Sequence, residues 1–202
     1  MYLFVGLGNP GYQYKNTKHN IGFEIIEYFI NNNKNIIYTK SLKFQGIFYE
    51  VILKKDLSQT DIKVIKFLML MPLTYMNLSG ISVKQVVDFY KINTNEIIVI
   101  HDDMDIKIGE FKIKFNGGSA GHNGIQSIIN YIGKDFYRIR IGINRPQDKN
   151  YKDYVLNKFS PEELIEIKNL LPKINIIIEN IILEGIEKTI SKIGFLLIKN
   201  SN

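Results

Sequence analysis

Tyr2-Leu3-Phe4-Val5-Gly6-Leu7-Gly8-Asn9-Pro10-Gly11 opens the chain with an apolar run that ends in a glycine-rich turn. Aromatic and β-branched residues bounded by Gly and Pro read as a first β-strand. The turn matches G-x-G-x-x-G, the form of a dinucleotide-binding loop. That form works only if the third glycine opens a helix whose N-terminus faces a pyrophosphate. Here Pro10-Gly11-Tyr12-Gln13-Tyr14 reads as a turn, and helical spacing begins only around His19–Ile21. The ribose partner, an acidic residue about 20 positions on, is missing from Ile36-Ile37-Tyr38-Thr39-Lys40-Ser41. The opening stretch therefore starts an α/β sheet without carrying a nucleotide.

Working outward, strand-like runs recur at 2–6, 44–53, 62–70, 96–101, 110–115 and 137–143, with a weaker one near 35–39. Helical stripes lie between them: Ile21, Ile25, Ile26 and Phe29, then Val83, Val86, Val87 and Tyr90. A third helix is expected from about Asn123 to Gly133, a residue type common just past a helix end. Ser160-Pro161-Glu162-Glu163 is a capping box with Pro at the first helical position. Apolar residues then recur from Leu164 to Ile190, with Pro172 expected to kink or split that helix. Strands alternating with helices imply an α/β fold, a twisted mixed, largely parallel sheet covered by helices on both faces. No repeat or composition break divides residues 1–202, so one domain is expected. In such sheets ligands bind at the carboxyl ends of the strands.

The chain has 202 residues, no cysteine and a formal charge of +6. Without cysteine, thiol catalysis, disulfides and thiolate zinc sites are excluded, and the composition suits a reducing compartment. The positive charge favours an acidic partner such as nucleic acid, although Lys also serves solubility. No apolar run approaches the ~20 residues of a membrane span, and the N-terminus reads as a strand rather than a targeting peptide. A cytoplasmic protein is expected.

Only three histidines occur, in Lys18-His19-Asn20, Ile100-His101-Asp102-Asp103 and Gly121-His122-Asn123. Each stands beside an amide or carboxylate where an apolar run gives way to a loop or helix start. Histidine suits proton transfer near neutral pH, above all when a carboxylate holds one ring nitrogen. His19 supplies a base and Asp102 a group to orient it. Asn9, Asn77 and Asn123 supply uncharged amides able to donate to a carbonyl oxygen gaining charge. Asn9 alone would be a turn residue, and Asn77 and Asn123 alone would be helix N-caps. With no Gly-x-Ser-x-Gly elbow, water is the better nucleophile. The parts describe hydrolysis of an activated carbonyl, such as an ester, without metal or cofactor. Asp102, Asp103 and Asp105 do not fit the calcium-loop spacing, and Phe115-Asn116-Gly117-Gly118-Ser119-Ala120-Gly121 lacks the Gly-Lys-Ser/Thr ending of a P-loop.

Val5 to Gly11, Tyr14, Lys18-His19-Asn20-Ile21-Gly22, Pro72 to Gly80, His101-Asp102-Asp103-Met104-Asp105, Gly117 to Gly124 and Arg138 to Ile143 occur in the order seen in bacterial-type peptidyl-tRNA hydrolases, which the chain resembles over residues 1 to about 160. The resemblance implies a monomeric, cofactor-free enzyme that cleaves the ester between peptide and tRNA and so recycles tRNA. It implies His19 as general base, Asp102 as its orienting partner, and Asn9 and Asn77 as positioners of peptide or water beside Met76. Asn123 would bind the peptide or stabilise the attacked carbonyl, and Tyr14 would line the site near the ester. Lys114 and Arg140 match a clamp for a tRNA phosphate, a contact that positions without reading sequence. His122 would lie near tRNA and His101 would be structural, while Arg138 and Arg145 read as solvated charges able to assist. A non-catalytic RNA-binding module would instead bind with strong salt dependence and release nothing, and a nicotinamide enzyme would answer to NADH or NADPH.

Overall fold

The computed structural model describes residues 1–56, 62–147 and 150–199. Seven strands form one sheet: β1 (Leu3–Gly6), β2 (Ile36–Lys43), β3 (Gly46–Asp56), β4 (Ile62–Pro72), β5 (Ile97–Asp103), β6 (Phe111–Phe115) and β7 (Tyr137–Gly142). Their order is β2-β3-β4-β1-β5-β7-β6. The central pairs β4/β1, β1/β5 and β5/β7 are parallel, and the edges close antiparallel through β2/β3/β4 and β6/β7. β2 and β3 meet through the two-residue turn Phe44-Gln45, whereas β6 and β7 pair antiparallel with the helix Asn123–Ile132 between them in the chain.

Six helices supply the cover: α1 (Ile21–Asn32), α2 (Ser79–Tyr90), α3 (Asn123–Ile132), α4 (Tyr151–Leu156), α5 (Pro161–Glu184) and α6 (Ile186–Lys199). The first strand shows how they divide. Phe4 points into a cluster with Ile21, Ile26 and Phe29 of α1 and Ile174 and Ile178 of α5. Leu3 and Val5 point the other way, onto Val83 and Val86 of α2 and Ile125 and Ile128 of α3. Side chains alternate across a strand, so a fully apolar strand buries both its faces.

The glycines of the opening turn serve packing. A Cβ on Gly6 would come within 2.3 Å of the Gly22 carbonyl oxygen, and one on Gly22 within 2.3 Å of Leu7 N and 2.5 Å of Ile100 O. Backbone thus rests directly on backbone where α1 crosses β1 and β5. No helix opens at Gly11; two 3-10 turns, Tyr12–Tyr14 and Lys18–Asn20, precede α1. The dinucleotide geometry is accordingly absent from this turn.

The capping box forms as expected: Ser160 Oγ accepts from Glu163 N at 3.2 Å and the Glu163 side chain accepts from Ser160 N at 2.8 Å. Pro172 does not split the helix: α5 continues past it and ends at Gly185, with φ of 92°. Ile167, Leu170, Ile174 and Ile178 are buried on either side of Pro172, which is itself exposed. Apolar burial on the inner face outweighs the ~3 kcal/mol of an interior proline. The short α4 was not foreseen; its six residues are too few for a periodic signal.

Candidate active site

The carboxyl end of β5 and the turn before α1 meet over the centre of the sheet. His19 ends up there because Lys18–Asn20 forms a 3-10 turn immediately ahead of α1, whose close approach through Gly22 lowers it onto β5. Asp102 is the sixth residue of β5 and is 3% exposed, while His19 is 8% exposed. His19 Nδ1 lies 2.8 Å from Asp102 Oδ1. A carboxylate oxygen only accepts, so Nδ1 carries the proton and Nε2 keeps its lone pair.

His122 reaches the same oxygen. It is the N-cap of α3, and its Nδ1 accepts from Gly124 N at 3.1 Å and Ile125 N at 3.3 Å. That leaves the proton on Nε2, which donates to Asp102 Oδ1 at 3.1 Å. The His19 and His122 rings stand 4.8 Å apart, centroid to centroid. The His101 ring packs edge-on against His122, 4.8 Å between centroids, without reaching the Asp102 carboxylate: its Nδ1 donates to the Asp102 carbonyl at 2.7 Å, and its buried Nε2 has no partner among the described residues.

Electrostatics separate these groups. Burial alone lowers the His19 pKa, but the charge of Asp102 and its hydrogen bond outweigh burial, leaving it above the ordinary 6.5. For Asp102 burial acts upward, and the two imidazoles with their hydrogen bonds overcome it, holding the carboxyl far below the usual carboxylate range. Burial, reinforced by His122, pushes His101 well below 6.5, so it stays neutral. The arrangement offers an ionised carboxylate and, held by it through Nδ1, the His19 imidazole with a free Nε2 (the donor-and-orienter geometry of a general base). His19, Asp102 and His122 could also ligate a metal, since one ligating atom of each lies within 4.8 Å of the others. The hydrogen bonds already engage both His122 nitrogens, His19 Nδ1 and Asp102 Oδ1.

The amides approach from β1. Asn9 and Asn20 form a reciprocal pair, Asn9 N to Asn20 Oδ1 and Asn20 Nδ2 to Asn9 O, both at 2.9 Å. Asn9 Oδ1 accepts from Met76 N at 2.9 Å, leaving its Nδ2 hydrogens without a partner among the described residues. Asn123, exposed at the first turn of α3, lines the cavity shared by His19, Asp102 and His122. Two amides are not helix caps after all: Leu78 is the N-cap of α2, and His122 that of α3. Asn77 is exposed in the 3-10 turn Met76–Leu78, and Met76 beside it is buried. Tyr14 is half-buried in the turn Tyr12–Tyr14. Neither Tyr14 nor Asn77 hydrogen-bonds to the His19 group.

A family model described as peptidyl-tRNA hydrolase matches residues 3–200. The peptidyl-tRNA hydrolase of Clostridium botulinum (strain Alaska E43 / Type E3) is 44% identical over 193 residues, 95% of each chain. That of Pelagibacter ubique is 41% identical over 184 residues, 89% of this chain and 93% of its own. The chain belongs to the peptidyl-tRNA hydrolase family. The crystal structure of peptidyl-tRNA hydrolase from Acinetobacter baumannii superposes with a TM-score of 0.82 at 32% identity, covering 96% of this chain and 94% of that one.

Within this family fold the basic groups sort into three kinds. Lys114 is exposed on β6, and Arg140 is half-buried on β7, where its Nε donates to Asp103 Oδ2 at 2.7 Å. The register pairs Lys114 with Arg138 and Lys112 with Arg140, making Lys114 and Arg140 diagonal neighbours on one face. Arg138 corrects the expectation of a solvated charge. It is 4% exposed, stacks 4.7 Å over the Phe136 ring and donates to the carbonyls of Gly117 and Gly118. Its cation is consumed in holding the glycine loop that leads to His122. Arg138 and Arg140 share a face of β7, and the loop folds over Arg138. Arg145 is exposed and pairs with Asp105 and the Tyr151 hydroxyl. Sequence reading gave Asn20 no role, although a fourth amide directly beside His19 was the available signal.

Proposed function

We propose that the chain hydrolyses the ester between peptide and tRNA, with His19 activating the attacking water, and so returns tRNA to translation. The observation that carries this reading is the Asp102–His19 pair, which leaves Nε2 as the one ring lone pair of His19 free to accept a proton. In the reaction His19 Nε2 takes a proton from water as its oxygen bonds to the ester carbonyl carbon. The ionised Asp102 steadies the imidazolium. Collapse breaks the bond to the tRNA ribose oxygen, which receives that proton, and the products are a peptide carboxylic acid and tRNA. Asn9 through its free Nδ2, together with Asn123, donates to the carbonyl oxygen as it gains charge. Asn77, Met76 and Tyr14 border the peptide, and Lys114 and Arg140 hold a tRNA phosphate. His122 was expected near tRNA; with both ring nitrogens used inside the protein, its role in this reading becomes the steadying of Asp102 and the start of α3.

The reading extends to a single domain over residues 1–202 acting as a cytoplasmic monomer. Among the described residues no helix is long and apolar enough to cross a membrane. The decisive test is release of tRNA from an N-blocked aminoacyl-tRNA by the purified chain. His19→Ala should lose at least about 10³-fold in kcat. Unchanged turnover in that variant would remove His19 as the base, and binding without release would leave an RNA-binding module.

A further inference from the structure

Lys18, directly before His19, is the one lysine among the described residues that is buried, at 3% exposure. Such a cation persists only when its surroundings are built for it. Its Nζ donates to Glu163 Oε2 at 2.6 Å and to the Lys158 carbonyl at 3.3 Å. The Tyr154 and Phe159 rings lie 4.9 and 5.0 Å from it, close enough for cation–π attraction. Its backbone N–H donates to Asn157 O at 3.0 Å, and Thr17 bridges to Lys158 beside it.

All of these partners come from α4, the connection that follows it and the first turn of α5, remote in sequence from the His19 turn. Glu163 Oε2 also accepts from Ser160 N at 2.8 Å, so the same carboxylate closes the capping box of α5. The same helix α4 presents Tyr151, Lys152 and Val155 to the cavity that holds His19 and Asp102. One ammonium therefore ties together the base-bearing turn and a wall of its cavity.

We propose that Lys18 is a positioning residue for the hydrolysis: gripped by Glu163, the Lys158 carbonyl and two aromatic rings, it sets His19 and the α4 wall at a working separation. The proposal rests on His19 as base. It acts through His19, the next residue of the same 3-10 turn, and adds a side-chain grip to the backbone ties that Lys18 N makes to Asn157 O and Thr17 makes to Lys158. Displacing a reacting group by about 1 Å can cost on the order of 10²-fold in rate.

The test compares Lys18→Met, Lys18→Arg, Glu163→Gln and the Lys18→Met/Glu163→Gln pair by steady-state kinetics on N-blocked aminoacyl-tRNA. Lys18→Met should lower kcat at least ~10-fold with KM changed less than ~3-fold, the split expected when binding survives and alignment does not. Lys18→Arg, whose guanidinium also pairs with carboxylates and stacks on rings, should recover most of kcat. The double variant should be no worse than the poorer single one, because both remove one interaction. In proton NMR the His19 Nδ1–H signal should shift or broaden in Lys18→Met while sheet amide signals stay. Should Lys18→Met fail to fold, Glu163→Gln carries the same kinetic and NMR comparison, since its amide oxygen still serves Ser160 N. Parental kcat in Lys18→Met or in Glu163→Gln, an Arg variant as poor as the Met one, or losses that multiply in the double variant would overturn the proposal. His19→Ala runs in parallel: if it keeps turnover, the base assignment fails; if it alone loses turnover, only the role of Lys18 fails.

Discussion

At the level of single side chains, the site turns on which proton sits where. Activity by a neutral base rises with pH through the base's own pKa, and Asp102 holds that of His19 above 6.5. The acid limb of kcat/KM is therefore expected above 6.5. Asp102→Asn removes the attraction but leaves the burial, which acts downward. The limb should then move to lower pH, with kcat reduced by roughly 10²-fold or more. A pH–rate profile of the variant checks this, and an unmoved limb would detach Asp102 from the base. The pairing of His19 with Asp102 was legible once the family motifs were recognised. The fate of His122 was not: neighbouring sequence shows a loop histidine, whereas its double use as helix cap and carboxylate donor needs α3 to start beside β5.

Among the secondary elements, α1 does most to place the site and carries an internal cost. Glu24 sits in its first turn with a buried Oε1 lacking a partner among the described residues. Burial, then repulsion from Glu27, raises its pKa to about 7, against a lowering by Lys15. For an acid raised on folding, the folded state holds the proton more tightly. Its contribution to stability is complete below the unfolded value of 4.5 and is lost as pH rises through about 7. Glu24→Gln is expected to raise stability at pH 8, by an upper bound of roughly 3 kcal/mol, and to change little at pH 4. Urea unfolding at both pH values tests it; equal effects would argue against the raised pKa. The apolar stripes, the capping box at Ser160 and the stop at Gly133 were all readable, because they are local. That α5 is not split at Pro172 was not readable, because burial on both sides of it depends on what α5 packs against.

Across the assembled protein, the strand order brings β7 beside β5 and β6 beyond it, so Arg140 is level with His101 next to Asp102, and Lys114 lies diagonally from it, level with Arg138 and Val99. If each neutralises one tRNA phosphate, Lys114→Ala and Arg140→Ala should each raise KM with little change in kcat. Each should also reduce the slope of log Kd against log salt by about one. Salt titrations of tRNA binding measure this, and an unchanged slope would place the phosphate elsewhere. Arg138, one register step away, is expected to behave differently because its charge is already spent on loop carbonyls.

Residue order alone was enough to establish the α/β class, the covered sheet, the elements with strong periodicity and the groups capable of ester chemistry. These follow from side-chain period, turn chemistry and functional-group type, all properties of neighbouring residues. Tertiary structure decided which groups share an oxygen, which arginine is buried, why α5 survives its proline and how Lys18 is caged. Each of those depends on contacts between segments far apart in the chain, where burial and hydrogen-bond geometry, rather than spacing, choose the partner.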